Sequence, residues 1–96
     1  MLNLESVASF VSIADAGSVA AAARRIGVSK SVVSARLSEL ERALGVKLIR
    51  RTTRALTLTQ EGNTFYRRAK QILREVKGAA AEVAGATYEC GCAGRA

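Results

Sequence analysis

The sequence predicts a mainly α-helical domain with one short two-stranded hairpin, and three observations support this prediction. Apolar residues recur at helical spacing through most of the 96 residues. The chain holds 18 alanines and no proline, which favours helices packed closely through small side chains. The helical spacing breaks at residues 46–58, where short apolar runs flank a cluster of cations and predict a hairpin. The length suits one small domain.

Short polar residues and glycines divide the first half of the chain into three helices. A serine or asparagine before an apolar run is typical of a helix N-cap, and a glycine after it is typical of a C-terminal stop. The cap and stop residues are Asn3 and Gly17 for the first helix, Ser18 and Gly27 for the second (19–26), and Ser29 and Gly45 for the third. The glycine-containing turn between the second and third helices predicts a helix-turn-helix.

The segment after the third helix predicts a wing. The apolar run 46–49 and the alternating run 55–58 are the expected strands, and residues 50–54 form the expected cationic loop between them. The predicted fold is therefore all-α in the main: a winged helix-turn-helix with a small two-stranded wing, followed by a long C-terminal helix.

That last helix is predicted from about residue 60 to 85. Thr59 is its expected cap, and Gly62 in its first turn suggests close packing against a neighbour, since glycine costs a helix about 1 kcal/mol relative to alanine. At about 1.5 Å per residue the helix is about 39 Å long, more than so small a domain can cover. We expect residues 1–58 to form the winged domain, 59–85 a linker and dimerisation helix, and 86–96 a flexible tail.

Apolar residues on the last helix follow a heptad pattern, which we call the seam. They are Phe65, Ala69, Ile72, Val76, Ala79 and Val83. We expect the seam to pair with a second copy of the chain; packing within one chain is the alternative. A cationic stripe on the other flank is more typical of a solvated face than of a phosphate track, and consists of Arg67, Lys70, Arg74 and Lys77.

The charge distribution points to a polyanionic partner. The formal net charge is +7, and residues 24–77 hold 14 of the 15 cations but 4 of the 8 acidic residues. The chain lacks histidine, a nucleophile–base pair and a glycine-rich phosphate loop, so we expect no enzyme, no cofactor and no metal site. It also lacks a signal sequence and an apolar run of about 18 residues, so we expect a cytoplasmic protein without a membrane partner.

The first turn of the third helix, which we expect over residues 30–44, carries the side chains best suited to read DNA bases. In helix-turn-helix proteins this end of the helix enters the major groove. Lys30 can donate to guanine there, and the hydroxyls of Ser31 and Ser34 can donate or accept. Ser29 joins the candidates although capping is its favoured role, and Arg36 could instead reach the DNA backbone.

Arginines around the hairpin complete the candidate site. Arg50 and Arg54 are expected to contact the minor groove or the adjacent phosphates. For Arg51 two roles stay open, namely contact with DNA and structural pairing with a carboxylate of the third helix such as Glu41.

Residues 1 to about 85 resemble the N-terminal DNA-binding domain and linker helix of LysR-type transcriptional regulators. The residues that carry this resemblance are Phe10, Gly17, Ser18, Ala22, Ala23, Ser29, Ser34, Leu40, Glu41, Leu44, Gly45, Leu48, Arg51, Leu58, Thr59 and Gly62. The resemblance implies sequence-specific binding of double-stranded DNA at an interrupted palindrome, pairing of two copies through the linker helix, and a small-molecule effector that acts only through a C-terminal domain absent from this chain. It places the family's reading positions on Lys30, Ser31 and Ser34 and its wing arginine on Arg54.

Three positions depart from the family pattern. Lys30 and Ser31 stand where the family usually has Gln-Pro, and Ala35 stands where it often has arginine, so these positions bear on base preference. Ile49 replaces a phenylalanine and keeps the position apolar.

The main alternative function is a basic helical protein-interaction module that pairs through the seam at 65–83. Cys90 and Cys92 lie two residues apart with no other cysteine or histidine in the chain, too few ligands for a four-ligand zinc site. We expect them to be reduced thiols.

Overall fold

The computed structural model describes residues 3–51 and 56–85 of the chain. Within these residues the chain forms four helices and one two-stranded antiparallel sheet, in the order α1 (Leu4–Ala16), α2 (Val19–Ile26), α3 (Lys30–Leu44), β1 (Ile49–Arg51), β2 (Leu56–Leu58) and α4 (Gln60–Gly85). The predicted fold class is confirmed. None of the described helices combines the length and apolar character that crossing a bilayer requires. Arg54 and the predicted tail, with Cys90 and Cys92, lie outside the described residues.

Each of the first three helices begins at its predicted cap. The side chains of Asn3, Ser18 and Ser29 accept hydrogen bonds from the backbone N–H groups of Ser6, Ala21 and Val32, at 2.8, 3.0 and 3.3 Å. Gly27 ends α2 with a φ of 85°, in the left-handed region that favours glycine. The resulting turn leads directly into α3, so that α2 and α3 form the predicted helix-turn-helix.

The core lies where α1 packs against α2, α3 and α4. Phe10 of α1 is fully buried, together with Val33 and Leu40 of α3. Ala22 and Ala23 are buried as well, and their small side chains let α2 approach its neighbours closely. Because one side of α3 is fixed in this core, its opposite side faces solvent.

The first strand of the wing is shifted from its predicted position. The sequence pattern predicts a strand at 46–49 and places Arg50 in the loop, but β1 begins at Ile49 and includes Arg50 and Arg51. The register pairs Ile49 with Leu58, Arg50 with Thr57, and Arg51 with Leu56. Arg50 is therefore held in a strand rather than in a loop.

A side chain of α3 explains why pairing stops at Ile49. The backbone N–H of Leu48 donates to the carboxylate of Glu41 at 2.8 Å and is therefore engaged by α3 rather than by β2. The carbonyl oxygen of Leu48 still accepts from the N–H of Thr59 at 3.0 Å, and the ladder ends with this bond. Periodicity along the chain gives no sign of such a contact, because it depends on how α3 packs.

α4 begins and ends as predicted. The hydroxyl oxygen of Thr59 accepts from the N–H of Gly62 at 2.9 Å, and Gly62 lies against the backbone of Leu48. Ala69 is fully buried in the core, whereas α4 is exposed from Arg74 to Ala84. The division into residues 1–58 and 59–85 stays a prediction, since the first half of α4 packs on the same core as α1.

Candidate nucleic-acid interface

The face of α3 that points away from the core is short, polar and cationic at its start. Lys30 and Ser31 are exposed and Ser34 is half-buried. Ser38 also lies on this face and is exposed; it was overlooked from the sequence, although its spacing of four residues from Ser34 could have revealed it. The structure therefore brings Lys30, Ser31 and Ser34 together on one face, as the spacing predicts.

Ser29 lies at the N-terminal end of this face and caps α3. Its hydroxyl oxygen accepts from the N–H of Val32 at 3.3 Å, which is the role that the sequence favours for it. The exposed position leaves its hydroxyl hydrogen accessible from solvent.

Arg36 contacts α1 instead of extending from the exposed face. Its guanidinium donates to the hydroxyl of Ser9 at 3.4 Å and lies 4.0 Å from the carboxylate of Glu5. These partners lie about thirty residues earlier in the chain, so no local sequence signal predicts them. This geometry favours a structural role for Arg36, and its contact with the DNA backbone stays a prediction.

An open groove of about 510 Å³ separates the exposed face of α3 from the wing. Its lining combines hydroxyl side chains, cationic side chains and one carboxylate, including Ser34, Ser38, Lys47, Arg50, Arg51 and Glu41. Arg50 and Arg51 are exposed, and the side chain of Lys47 is 81% exposed. A groove with hydroxyl donors on one wall and cations on the other has the chemistry to hold a phosphate backbone.

Glu41 is the acidic residue of this groove, and its charge is compensated. One carboxylate oxygen accepts from the N–H groups of Leu48 and Ile49, at 2.8 and 3.3 Å. The other lies 3.6 Å from the ammonium of Lys47. Among the described residues, the cation that pairs with Glu41 is therefore Lys47 and not Arg51. This was one of the two roles left open for Arg51.

The seam of α4 is divided between the core and solvent. Ala69 is fully buried, and the ring of Phe65 lies 5.7 Å from that of Phe10, so these two residues pack within the chain. Ile72, Val76 and Val83 are 47%, 43% and 74% exposed, and Ala79 is exposed as well. The intramolecular alternative thus describes the start of the seam, and the remainder is an apolar face that no other described residue covers.

The cationic stripe of α4 is likewise divided. The ammonium of Lys70 lies 3.9 Å from the carboxylate of Asp15 and 5.3 Å from the ring centre of Tyr66, whose hydroxyl donates to Asp15. Lys70 therefore belongs to a contact between α1 and α4. Arg67, Arg74 and Lys77 are exposed.

The sequence between α1 and the start of α4 decides the family. A family model described as "Bacterial regulatory helix-turn-helix protein, lysR family" matches residues 4–63, which is more than half of the chain. The chain belongs to the LysR family.

A curated relative supports this assignment. An HTH-type transcriptional repressor of Pseudomonas aeruginosa (strain UCBPP-PA14) is 41% identical over 87 residues, which cover 91% of this chain and 27% of the relative. The chain thus spans about a quarter of the length of the curated relatives it matches. These relatives are transcriptional regulators with a DNA-binding domain rather than enzymes.

Two solved structures share the fold over nearly their full length. The BenM DNA-binding domain in complex with catB site 1 DNA superposes with a TM-score of 0.86 and 25% identity, covering 92% of this chain and 98% of that one. The CbnR DNA-binding domain in its DNA complex gives a TM-score of 0.82 and 31% identity, covering 91% of this chain and 100% of that one. Both of these LysR-family structures contain bound DNA.

Proposed function

We propose that this LysR-family domain reads a specific sequence of double-stranded DNA with α3 in the major groove and the wing on the minor groove or the adjacent backbone. One observation carries the proposal: Ser34 and Ser38, on the exposed face of α3, line the same groove as the arginines of β1. The spacing of a reading helix and a wing on either side of one groove suits a strand of the DNA backbone passing between them.

Each side chain has a distinct role in this proposal. Lys30 donates to guanine O6 or N7, and Ser31 and Ser34 donate to or accept from base edges. Ser38, one turn further along α3, contacts the backbone that enters the groove. Arg50 binds phosphate from the wing, and Ser29 stays mainly a cap. Arg54, which the sequence alone assigns to the wing, reaches the minor groove.

We also propose that two copies pair through the exposed part of the seam and read the two halves of an interrupted palindrome. The support is the apolar face formed by Ile72, Val76, Ala79 and Val83, which residues 3–51 and 56–85 leave uncovered. A small-molecule effector would then act through a C-terminal domain outside this chain, since the matched relatives are more than three times as long. Binding of chromosomal DNA would place the protein on the nucleoid in the cytoplasm.

Fluorescence anisotropy of a labelled mixed-sequence duplex, repeated from low to moderate salt, tests the proposal. Neutralised phosphates give a slope of about −0.9 per contact in a plot of log K against log salt, so we expect binding with a steep negative slope. Selection from a random pool of duplexes would then identify the specific site. Absence of binding at low salt would overturn the proposal and favour a protein partner for the basic surface and α4.

A further inference from the structure

We infer that Glu41 is a positioning residue for DNA binding, because its carboxylate fixes the wing relative to the reading helix. The inference rests on the proposed function, in which α3 and the wing contact the two sides of one backbone strand. Glu41 itself touches no DNA in this proposal and acts through Arg50.

The carboxylate joins α3 directly to the backbone at the base of the wing. A single oxygen of Glu41 accepts from the N–H groups of Leu48 and Ile49, and Ile49 is the residue before Arg50. The side chain of Glu41 is only 12% exposed, so these bonds form in partly desolvated surroundings where an unmade bond is costly.

The position of Glu41 on α3 suits this task. It lies seven residues after Ser34, which is two helical turns, so both residues lie on the same side of α3 and line the same groove. A rotation or shift of α3 that moves the reading residues therefore also moves the anchor of the wing.

A second anchor holds the same short segment from the side of α4. The hydroxyl of Thr59 donates to the carbonyl oxygen of Lys47 at 2.6 Å. The N–H of Thr59 donates to the carbonyl oxygen of Leu48 at 3.0 Å. The base of the wing is thus fixed between α3 and the start of α4. Glu41 is the anchor that comes from the reading helix, and its loss would leave the wing tied to α4 alone.

Simple electrostatics predicts the opposite effect of removing this carboxylate. A negative charge in a groove that binds phosphate opposes DNA, so its removal should strengthen binding if Glu41 had no positioning role. Positioning predicts weaker binding and a shallower salt dependence, because Arg50 would lose its phosphate contact. The sign of the change separates the two explanations.

The test is a double-mutant cycle in the 96-residue chain. Binding is measured by fluorescence anisotropy on a duplex that was selected for binding to the unaltered chain. We expect Glu41→Ala to weaken binding about threefold to tenfold. The magnitude of its negative salt slope should fall by about 0.9, the change also expected for Arg50→Ala. A chain with both Glu41→Ala and Arg50→Ala should bind about as weakly as a chain with Arg50→Ala alone. In a chain with both Glu41→Ala and Lys30→Ala, the fold losses of the two single substitutions should multiply. Glu41→Gln keeps an acceptor oxygen and should retain binding within about twofold.

Amide hydrogen exchange provides a readout that does not involve DNA. In Glu41→Ala the amides of Leu48 and Ile49 should exchange at least about tenfold faster, while the amide of Phe10 keeps its protection as evidence of an intact core. If Glu41→Ala does not fold, Glu41→Gln and Glu41→Asp are compared instead. Of these two variants, the one whose Leu48 and Ile49 amides exchange faster should also lose more DNA binding.

Three outcomes would overturn the inference. The carboxylate would act independently of the wing if Glu41→Ala bound DNA more tightly. The same conclusion would follow if the fold losses of Glu41→Ala and Arg50→Ala multiplied in the double variant. Unchanged exchange at Leu48 and Ile49 would show that it does not hold the wing. Failure of the unaltered chain to bind any duplex would overturn the proposed function and this inference with it.

Discussion

The carbonyl oxygen of Leu48 lies directly against Gly62, so that a Cβ atom on residue 62 would overlap it. This close approach brings the base of the wing onto the first turn of α4. The same carbonyl accepts the N–H of Thr59, the cap of α4. The wing and α4 therefore meet backbone to backbone, with no room for a side chain between them.

Gly62→Ala is expected to destabilise the fold by about 1–3 kcal/mol. The added Cβ would overlap a backbone oxygen that is itself hydrogen-bonded, and this overpacking outweighs the gain of up to about 1 kcal/mol that alanine brings to a helix. Urea denaturation followed by circular dichroism measures the difference.

Gly78→Ala is the matched control for that substitution. Gly78 lies in the exposed half of the same helix, and a Cβ there meets nothing within 4 Å. Alanine should stabilise the chain at this position by up to about 1 kcal/mol. Equal effects of the two substitutions would contradict the close contact with Leu48.

Lys30→Ala and Ser34→Ala should weaken binding to the selected duplex by about 1–3 kcal/mol while sparing a random duplex. The reason is that base-edge contacts discriminate between sequences whereas phosphate contacts do not. Anisotropy with both duplexes measures this ratio. Arg36→Ala is the control on the same helix: its side chain contacts Ser9 and Glu5, so it should lower stability and leave the ratio unchanged. Equal losses on the two duplexes would reassign Lys30 and Ser34 to backbone contacts.

Local signals in the sequence predict the helices of this fold, and they do so for a physical reason. Asn3, Ser18 and Ser29 cap helices through bonds to residues three positions away, so the cap and its partner occur in one short segment. The fold class and the exposed polar face of α3 follow from these caps and from the spacing of apolar residues.

Contacts between distant residues account for what the sequence did not predict. The start of β1 depends on the bond that the N–H of Leu48 donates to Glu41, and the side chain of Arg36 turns to Ser9, 27 residues away. Heptad spacing treats Ala69 and Ile72 alike, although the core covers the first and leaves the second exposed. Only the packing of α1 against α4 decides which part of the seam remains free.

Ile72→Glu should convert a dimer of this chain to monomers in sedimentation velocity. Ile72 is nearly half exposed in one chain, so the substitution should leave the monomer folded while placing a charge on the face proposed to pair. Gln71→Glu adds the same charge at the neighbouring exposed position and should leave the dimer intact. A dimer that survives Ile72→Glu would place the interface elsewhere on the chain.

Tyr66→Phe should destabilise the fold by about 1 kcal/mol through the contact between α1 and α4. The substitution removes the hydrogen bond from the Tyr66 hydroxyl to Asp15 but keeps the ring beneath the ammonium of Lys70. The free energy of unfolding in urea measures the loss. In an Asp15→Ala background the acceptor is gone, so the same substitution should cost close to nothing. An equal cost in both backgrounds would show that the hydroxyl contributes through some other contact, and that this pair does not hold α4 on α1.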